Sequence, residues 1–376
     1  MPSTRGRPSS ATLLAQAPRA PRGTPYLLVD EAACDFNIRV AAEYFSTRST
    51  TLRPHFKAHK CVELLRRQVA AGSCSGVTCA TAWEARVLAA AGFDDILIAN
   101  EVVDWFELAA LAEAATNAKL AVAVDDIRHV TLLEELASAT RTRYGVLVDI
   151  DVGMKRCGVN VSDELVTIAS TILESPRLEL RGLMGYEGHA ALEPSRDTRQ
   201  SLVHSAADRL RSARDLLQNH SISCPVVSGG STGTFDLATD TAMWTEIQAG
   251  SYVLMDATYD KLGLPFVQAL YCVGTVISRH GDRGVINAGL KSLSVEYGLP
   301  EAIDSSMTVL GLSDEHARVQ FERGNATEVG DSVLLVPSHV DPTMNLHDSL
   351  FVWREGDDLQ EWPVVARSRH PSGVES

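Results

Sequence analysis

From residue 24 to about residue 265 the chain alternates short apolar runs with longer segments of helical spacing. No other feature of the sequence narrows the choice of fold so far. The apolar runs fall at 26–30, 51–56, 76–80, 95–100, 119–125, 145–152, 178–186, 225–228 and 246–249. Between them lie 81–91, 105–115, 128–140, 163–174 and 199–219, rich in Ala and Leu and well suited to helices. About eight strand–helix units predict a (β/α)8 barrel. An open doubly wound sheet alternates in the same way, but no GxGxxG opens the first helix, which counts against it.

After residue 266 the texture changes. Strand-like runs at 270–278, 284–287, 332–336, 350–354 and 362–366 are separated by glycines, and helical spacing nearly vanishes. This predicts an antiparallel β domain. The expected fold class is therefore α/β, a (β/α)8 TIM-type barrel with a C-terminal antiparallel β domain. The expected divisions are a disordered tail over 1–23, a barrel over 24–265 and a β domain over 266–376, which residues near the amino terminus can join. The tail contains no acidic residue and no long apolar core. A transit peptide has the same composition.

Composition excludes several function classes. A net charge of −14 argues against general nucleic-acid binding. No apolar run is long enough to span a bilayer. The seven cysteines are odd in number and form no paired CxxC zinc pattern. They predict mostly buried free thiols in a reducing, cytoplasmic setting.

Within this acidic chain, Arg53-Pro54-His55-Phe56-Lys57-Ala58-His59-Lys60 concentrates basic groups between a strand and a helix. In parallel α/β folds the carboxyl end of a strand is where sites are built. Alone, such a cluster also reads as a basic surface turn. Nearby positive charge can make a lysine amine nucleophilic by disfavouring its ammonium form. In Asp149-Ile150-Asp151-Val152-Gly153-Met154-Lys155-Arg156, Arg156 can hold an anionic oxygen or pair with Asp149 or Asp151. Gly185-Tyr186-Glu187-Gly188-His189 ends an apolar run with an imidazole able to act as acid or base. Two loops, 229–233 and 249–252, carry the glycines and hydroxyls that cradle phosphates late in a barrel. In Pro337-Ser338-His339-Val340-Asp341-Pro342, an extended backbone puts His339 and Asp341 on one side. That pair can chelate a divalent cation, although an isolated HxD is also common as plain structure. His347 and Asp348 are adjacent and carry less weight.

Taken together and in order, these segments resemble the D-threonine aldolase / D-serine dehydratase family of pyridoxal-phosphate enzymes, the fold-type III group that includes alanine racemase. The resemblance spans about residues 24 to 366. It implies that Lys57 is the Schiff-base lysine and that Arg156 contacts the phenolate oxygen of the cofactor. It implies that His189 is the catalytic histidine and that Tyr186 belongs to the cofactor site. Ser231, Thr232 and Gly233, with Gly250, Ser251 and Tyr252, correspond to phosphate-binding loops. His339 and Asp341 correspond to metal ligands, and Arg53, His55 and His59 to a shell that keeps Lys57 reactive. The activity implied is cleavage of a D-3-hydroxy-amino acid to glycine and an aldehyde, by a homodimer without nucleic-acid or membrane partners. D-serine dehydratase relatives carry His-x-Cys, which suits zinc. Asp341 is an oxygen donor that suits Mn²⁺ or Mg²⁺ better than Zn²⁺. Dehydration of D-serine or 3-hydroxy-D-aspartate is the nearest alternative. A racemase, which needs a second base such as Tyr297, and a non-catalytic cofactor carrier are more distant ones.

Overall fold

The computed structural model describes residues 23–355 and 359–367. The tail expected over 1–23 lies outside these apart from Gly23. Two compact units divide the described chain: 41–57 with 62–250, and 23–40 with 58–61, 251–355 and 359–367.

The first strand, β1 (Tyr26–Asp30), is followed by β2 (Thr51–Leu52), β3 (Val77–Cys79), β4 (Asp95–Ile98) and β5 (Lys119–Val124). Next come β6 (Tyr144–Asp149), β7 (Leu178–Gly185), β8 (Val226–Gly229) and β9 (Glu246–Ile247). Strands β2 to β9 make one parallel sheet in the order β2-β9-β8-β7-β6-β5-β4-β3. Parallel bridges of Leu52 with Cys74 and of His55 with Thr78 join its two ends, so the sheet closes into a barrel. Leu97, Ala121, Ala123, Leu147 and Met184 form a buried apolar cluster within this unit. Helices of good propensity follow the strands, the longest being Arg196–Asn219.

Closure also uses charge. Arg53, just beyond β2, pairs with Glu246 on β9 and with Asp95 on β4, each at 2.9 Å. Its guanidinium also donates to the carbonyls of Ser75 and Val77. The expectation that Arg53 surrounds Lys57 as an activating cation is therefore corrected: two carboxylates engage its charge at the barrel seam.

In the second unit, β10 (Leu270–His280), β11 (Arg283–Ile286), β12 (Glu301–Ala302), β13 (Met307–Leu312) and β14 (Ala317–Phe321) are followed by β15 (Ser332–Val336), β16 (Ser349–Trp353) and β17 (Gln360–Pro363). The sheet is antiparallel apart from β1, which runs parallel to β16 and antiparallel to β10. The first apolar run was expected in the barrel. It lies here instead, because Leu27, Leu28 and Val29 are all buried and such a run suits the centre of either sheet. Lys60, expected in the basic cluster, donates to the carbonyl of Ala366 at 2.8 Å within this unit.

Candidate active site

At the carboxyl ends of the barrel strands, Phe56–Ala58 forms a short 3-10 turn that presents Lys57. Lys57 Nζ lies 5.9 Å from the centroid of the Tyr186 ring, and the Arg156 guanidinium carbon lies 5.5 Å from the same centroid. Three residues expected at the cofactor thus meet around one aromatic face, contributed by the segments after β2, β6 and β7. The ring has room because residue 188 is glycine. A Cβ there would stand 2.5 Å from Tyr186 Cε1 and 2.9 Å from the Met154 thioether. A shallow cleft is lined by Asp149, Met154, Arg156, Cys157 and Tyr186, among others.

Arg156 makes no ion pair with Asp149 or Asp151 among the described residues. The Asp151 carboxylate instead accepts from the backbone N–H of Gly153 at 2.9 Å and of Lys155 at 3.0 Å, shaping the loop. Burial pushes the Asp149 carboxyl well above its ordinary range, and the charges of Glu101 and Asp125 add to the shift. Glu101, Asp125 and Cys157 bring polar atoms within 4.8 Å of one another. Burial and the Glu101 charge push the Cys157 thiol up to about 11, so it stays protonated at neutral pH. Glu101 and Asp125 follow β4 and β5 in unremarkable strand-end positions, and no motif in the sequence marks them.

His189 faces solvent after β7, against the backbone of Gly153. That glycine has φ +120°, and a Cβ on it would lie 3.4 Å from the imidazole. Partial burial lowers the His189 pKa; Asp151 opposes that shift and Arg209 adds to it. The imidazole is therefore neutral at pH 7 and available as a base.

Glu187 is completely buried behind these groups. One carboxylate oxygen accepts from the N–H of Gly230 at 3.1 Å, and the other accepts from the Thr234 hydroxyl. Thr234 in turn holds the N–H of Ser231 at 3.1 Å and its hydroxyl at 2.9 Å. The expected phosphate loop, with Ser231 and Thr232 buried and Gly233 between Thr232 and Thr234, is thus braced from the strand end that carries Tyr186. Glu187 and Thr234 were not anticipated as its supports. A buried carboxylate inside a Gly-Tyr-Glu-Gly-His segment is the signal that could have revealed this.

In the other unit, His339 and Asp341 converge: His339 Nε2 lies 3.7 Å from Asp341 Oδ1. The expected extended backbone is corrected. His339 is extended at φ −143°, but it caps a short helix, Val340–Met344, that contains Asp341. Pro342 is tolerated because its missing N–H falls in the first helical turn, where no intrahelical partner exists. Asp256 fixes the cap by accepting from the N–H of Val340 at 2.9 Å, and burial pushes its carboxyl up to about 6. Ser251 was expected at a phosphate. Its hydroxyl donates to Asp341 Oδ1 at 3.1 Å. Tyr252 is buried with its ring 5.2 Å from that of Phe266, and Gly250 precedes the 3-10 turn Ser251–Val253. His347, half-buried, pairs through Nε2 with the Ser292 carbonyl at 2.9 Å. His59 is likewise buried and its Nδ1 accepts from the N–H of Cys61 at 3.1 Å.

The donor chemistry fits both implied groups. A primary amine, a guanidinium, an aromatic face and a buried hydroxyl loop suit an anionic aromatic aldehyde. Two donors bound at about 2.1 Å to one small divalent cation can be at most about 4.2 Å apart. The 3.7 Å separation of His339 and Asp341 lies within that reach.

Comparisons with known proteins place the chain in a family. Residues 29–258 match the family description "Alanine racemase, N-terminal domain", and residues 269–353 match "Putative serine dehydratase domain". The chain is 36% identical to a D-threonine aldolase of Arthrobacter sp, over 93% of this chain and 94% of that protein. It is 33% identical to a 3-hydroxy-D-aspartate aldolase of Paracoccus denitrificans, covering 92% of each. The crystal structure of a D-threonine aldolase from Filomicrobium marinum superposes with a TM-score of 0.87 at 35% identity, over 92% of this chain and 95% of that one.

Proposed function

We propose, for a chain that belongs to the D-threonine aldolase / D-serine dehydratase family of fold-type III pyridoxal-phosphate enzymes, that its lyase reaction is aldol cleavage. The substrate is a D-3-hydroxy-amino acid of the D-threonine type, and the products are glycine and an aldehyde. The observation that carries this reading is the His339–Asp341 pair, a nitrogen and an oxygen donor 3.7 Å apart. Such a pair suits Mn²⁺ or Mg²⁺ and the activation of a hydroxyl.

Bound pyridoxal phosphate supplies an electron sink, and a bound divalent cation supplies a Lewis acid for the hydroxyl. Lys57 holds the cofactor through its amine. Arg156 would contact the phenolate oxygen, and Ser231, Thr232 and Gly233, with Gly250 and the backbone at Ser251 and Tyr252, would receive the phosphate. His339 and Asp341 hold the cation. His189 takes the proton of the β-hydroxyl, directly or through one water. As that proton leaves, the C–O bond becomes a carbonyl and the Cα–Cβ bond breaks. Cα then gains one proton, which gives glycine, and His189 returns its proton to solvent. No helix among the described residues is long and apolar enough to cross a membrane. A homodimer is the expected assembly, and sedimentation measures it.

Dehydration is the second reading, favoured by the match of residues 269–353 to a serine dehydratase domain. It uses the same groups but removes the α-proton and expels the hydroxyl. The test is to incubate the protein with pyridoxal phosphate, Mn²⁺ and in turn D-threonine, D-phenylserine, D-serine and 3-hydroxy-D-aspartate. Glycine is then measured against ammonia. Glycine without ammonia is expected, and ammonia without glycine rejects the aldolase reading. Activity should stop in EDTA and return with Mn²⁺; full activity in chelator removes the cation role of His339 and Asp341.

A further inference from the structure

We propose that Glu296 is a positioning residue for the cation site, holding the His339 imidazole with Nε2 turned toward Asp341. The inference rests on the reading that His339 and Asp341 bind a divalent cation. The His339 ring has two nitrogens, and the hydrogen bond at one decides what the other can do. Here Nδ1 lies 2.7 Å from Glu296 Oε2, while Nε2 lies 3.7 Å from Asp341 Oδ1. A carboxylate at Nδ1 accepts a hydrogen bond from Nδ1–H, and that tautomer leaves Nε2 with a bare lone pair. It also raises the basicity of that nitrogen, which is how carboxylates behind metal-bound histidines act.

The position of Glu296 is built rather than incidental. Ser294 is tied to both sides of the ligand pair. Its carbonyl accepts from the Ser338 hydroxyl at 2.9 Å, and its N–H donates to the Thr343 hydroxyl at 3.1 Å. Its own hydroxyl accepts from the N–H of Glu296 at 3.2 Å. The turn is closed by Gly298 N–H on the Val295 carbonyl at 3.2 Å. Tyr297, from the same turn, lays its ring 4.7 Å from the imidazole. Among the described residues Glu296 has no other ion-pair partner. Its side chain is 51% exposed whereas that of His339 is 14% exposed. A carboxylate so exposed contributes little to the fold itself. Its removal therefore separates cation affinity from stability.

The test uses full-length protein stripped of metal and titrated with Mn²⁺, free ion being read by electron paramagnetic resonance. Wild type, Glu296→Gln, Glu296→Ala and His339→Ala are compared, with the melting temperature of each metal-free protein. Glu296→Ala should raise the Mn²⁺ dissociation constant about tenfold or more. Glu296→Gln, which keeps an acceptor but no charge, should recover part of that loss. Metal-free melting temperatures should be unchanged, and His339→Ala should lose the site. Wild-type affinity in Glu296→Ala, with His339→Ala impaired, overturns the role of Glu296 and leaves the cation reading standing. Equal losses in Gln and Ala with a lowered metal-free melting temperature also overturn it, in favour of a merely structural role. Wild-type affinity in His339→Ala, or no binding by wild type, overturns the cation reading and the positioning role together.

Discussion

Lys57 Nζ stands 5.9 Å from the centre of the Tyr186 ring, over the same aromatic group that the Arg156 guanidinium approaches. The pair ties a short turn after β2 to the end of β7, two places 129 residues apart in the sequence (57 and 186). On the proposed reading, this lysine would hold the cofactor by its amine. Replacing Lys57 by Ala should abolish the internal-aldimine absorbance of the protein-bound cofactor. A band that survives in Lys57→Ala moves the attachment to another residue.

His189 sets the acid side of the pH dependence. Its pKa lies below the ordinary 6.5, chiefly through partial burial. The neutral form therefore persists to lower pH than for a free histidine. Activity should fall only as pH drops below 6.5 through that lowered value, and rise to a plateau above it. His189→Asn should lower kcat by roughly 10² to 10⁴ and remove this limb. An unchanged acid limb in His189→Asn assigns the titration to a different group.

Glu187 should matter for cofactor affinity without touching the cofactor. Glu187→Ala leaves the Gly230 N–H and the Thr234 hydroxyl without their acceptors, at a cost of about 1–3 kcal/mol each when buried. The Ser231–Gly233 loop should loosen. Equilibrium dialysis of pyridoxal phosphate should then show weaker binding, while the absorbance band at saturating cofactor is preserved. Unaltered affinity means that the loop is held by other contacts.

The Arg53 seam is a stability element. Arg53→Met takes the buried cation from Glu246, while Asp95 keeps Arg181 at 3.6 Å. Breaking a buried pair in this way costs about 3–5 kcal/mol. Glu246 is nearly fully buried but Asp95 is one-third exposed, so the lower end of that range applies. A denaturant titration that shows no loss of stability in Arg53→Met contradicts this assignment.

The barrel was legible because its strands are buried on both faces and read as unbroken apolar runs. The same property hid the partner of β1, since Leu27 to Val29 suit the middle of either sheet. Strands β13 and β14 were missed because Thr308, Arg318 and Gln320 alternate with buried Val309, Val319 and Phe321, which dilutes the apolar signal. Lys57, Arg156 and Tyr186 were legible as a set only through their resemblance in order. The resemblance implied a cationic shell around Lys57, and Arg53 instead seals the barrel through carboxylates distant in sequence. His339 and Asp341 were read correctly as a converging pair, but for a wrong local reason. Convergence comes from a helix cap over Asp256, and no short-range pattern announces Asp256 or Glu296.

The account turns on which bond breaks. D-Threonine is incubated with the protein, pyridoxal phosphate and Mn²⁺ in deuterium oxide and sampled at early times. Cleavage of Cα–Cβ predicts equal amounts of acetaldehyde and of glycine that carries one carbon-bound deuterium, because the original α-hydrogen is kept. Ammonia and 2-oxobutanoate in place of glycine would contradict it.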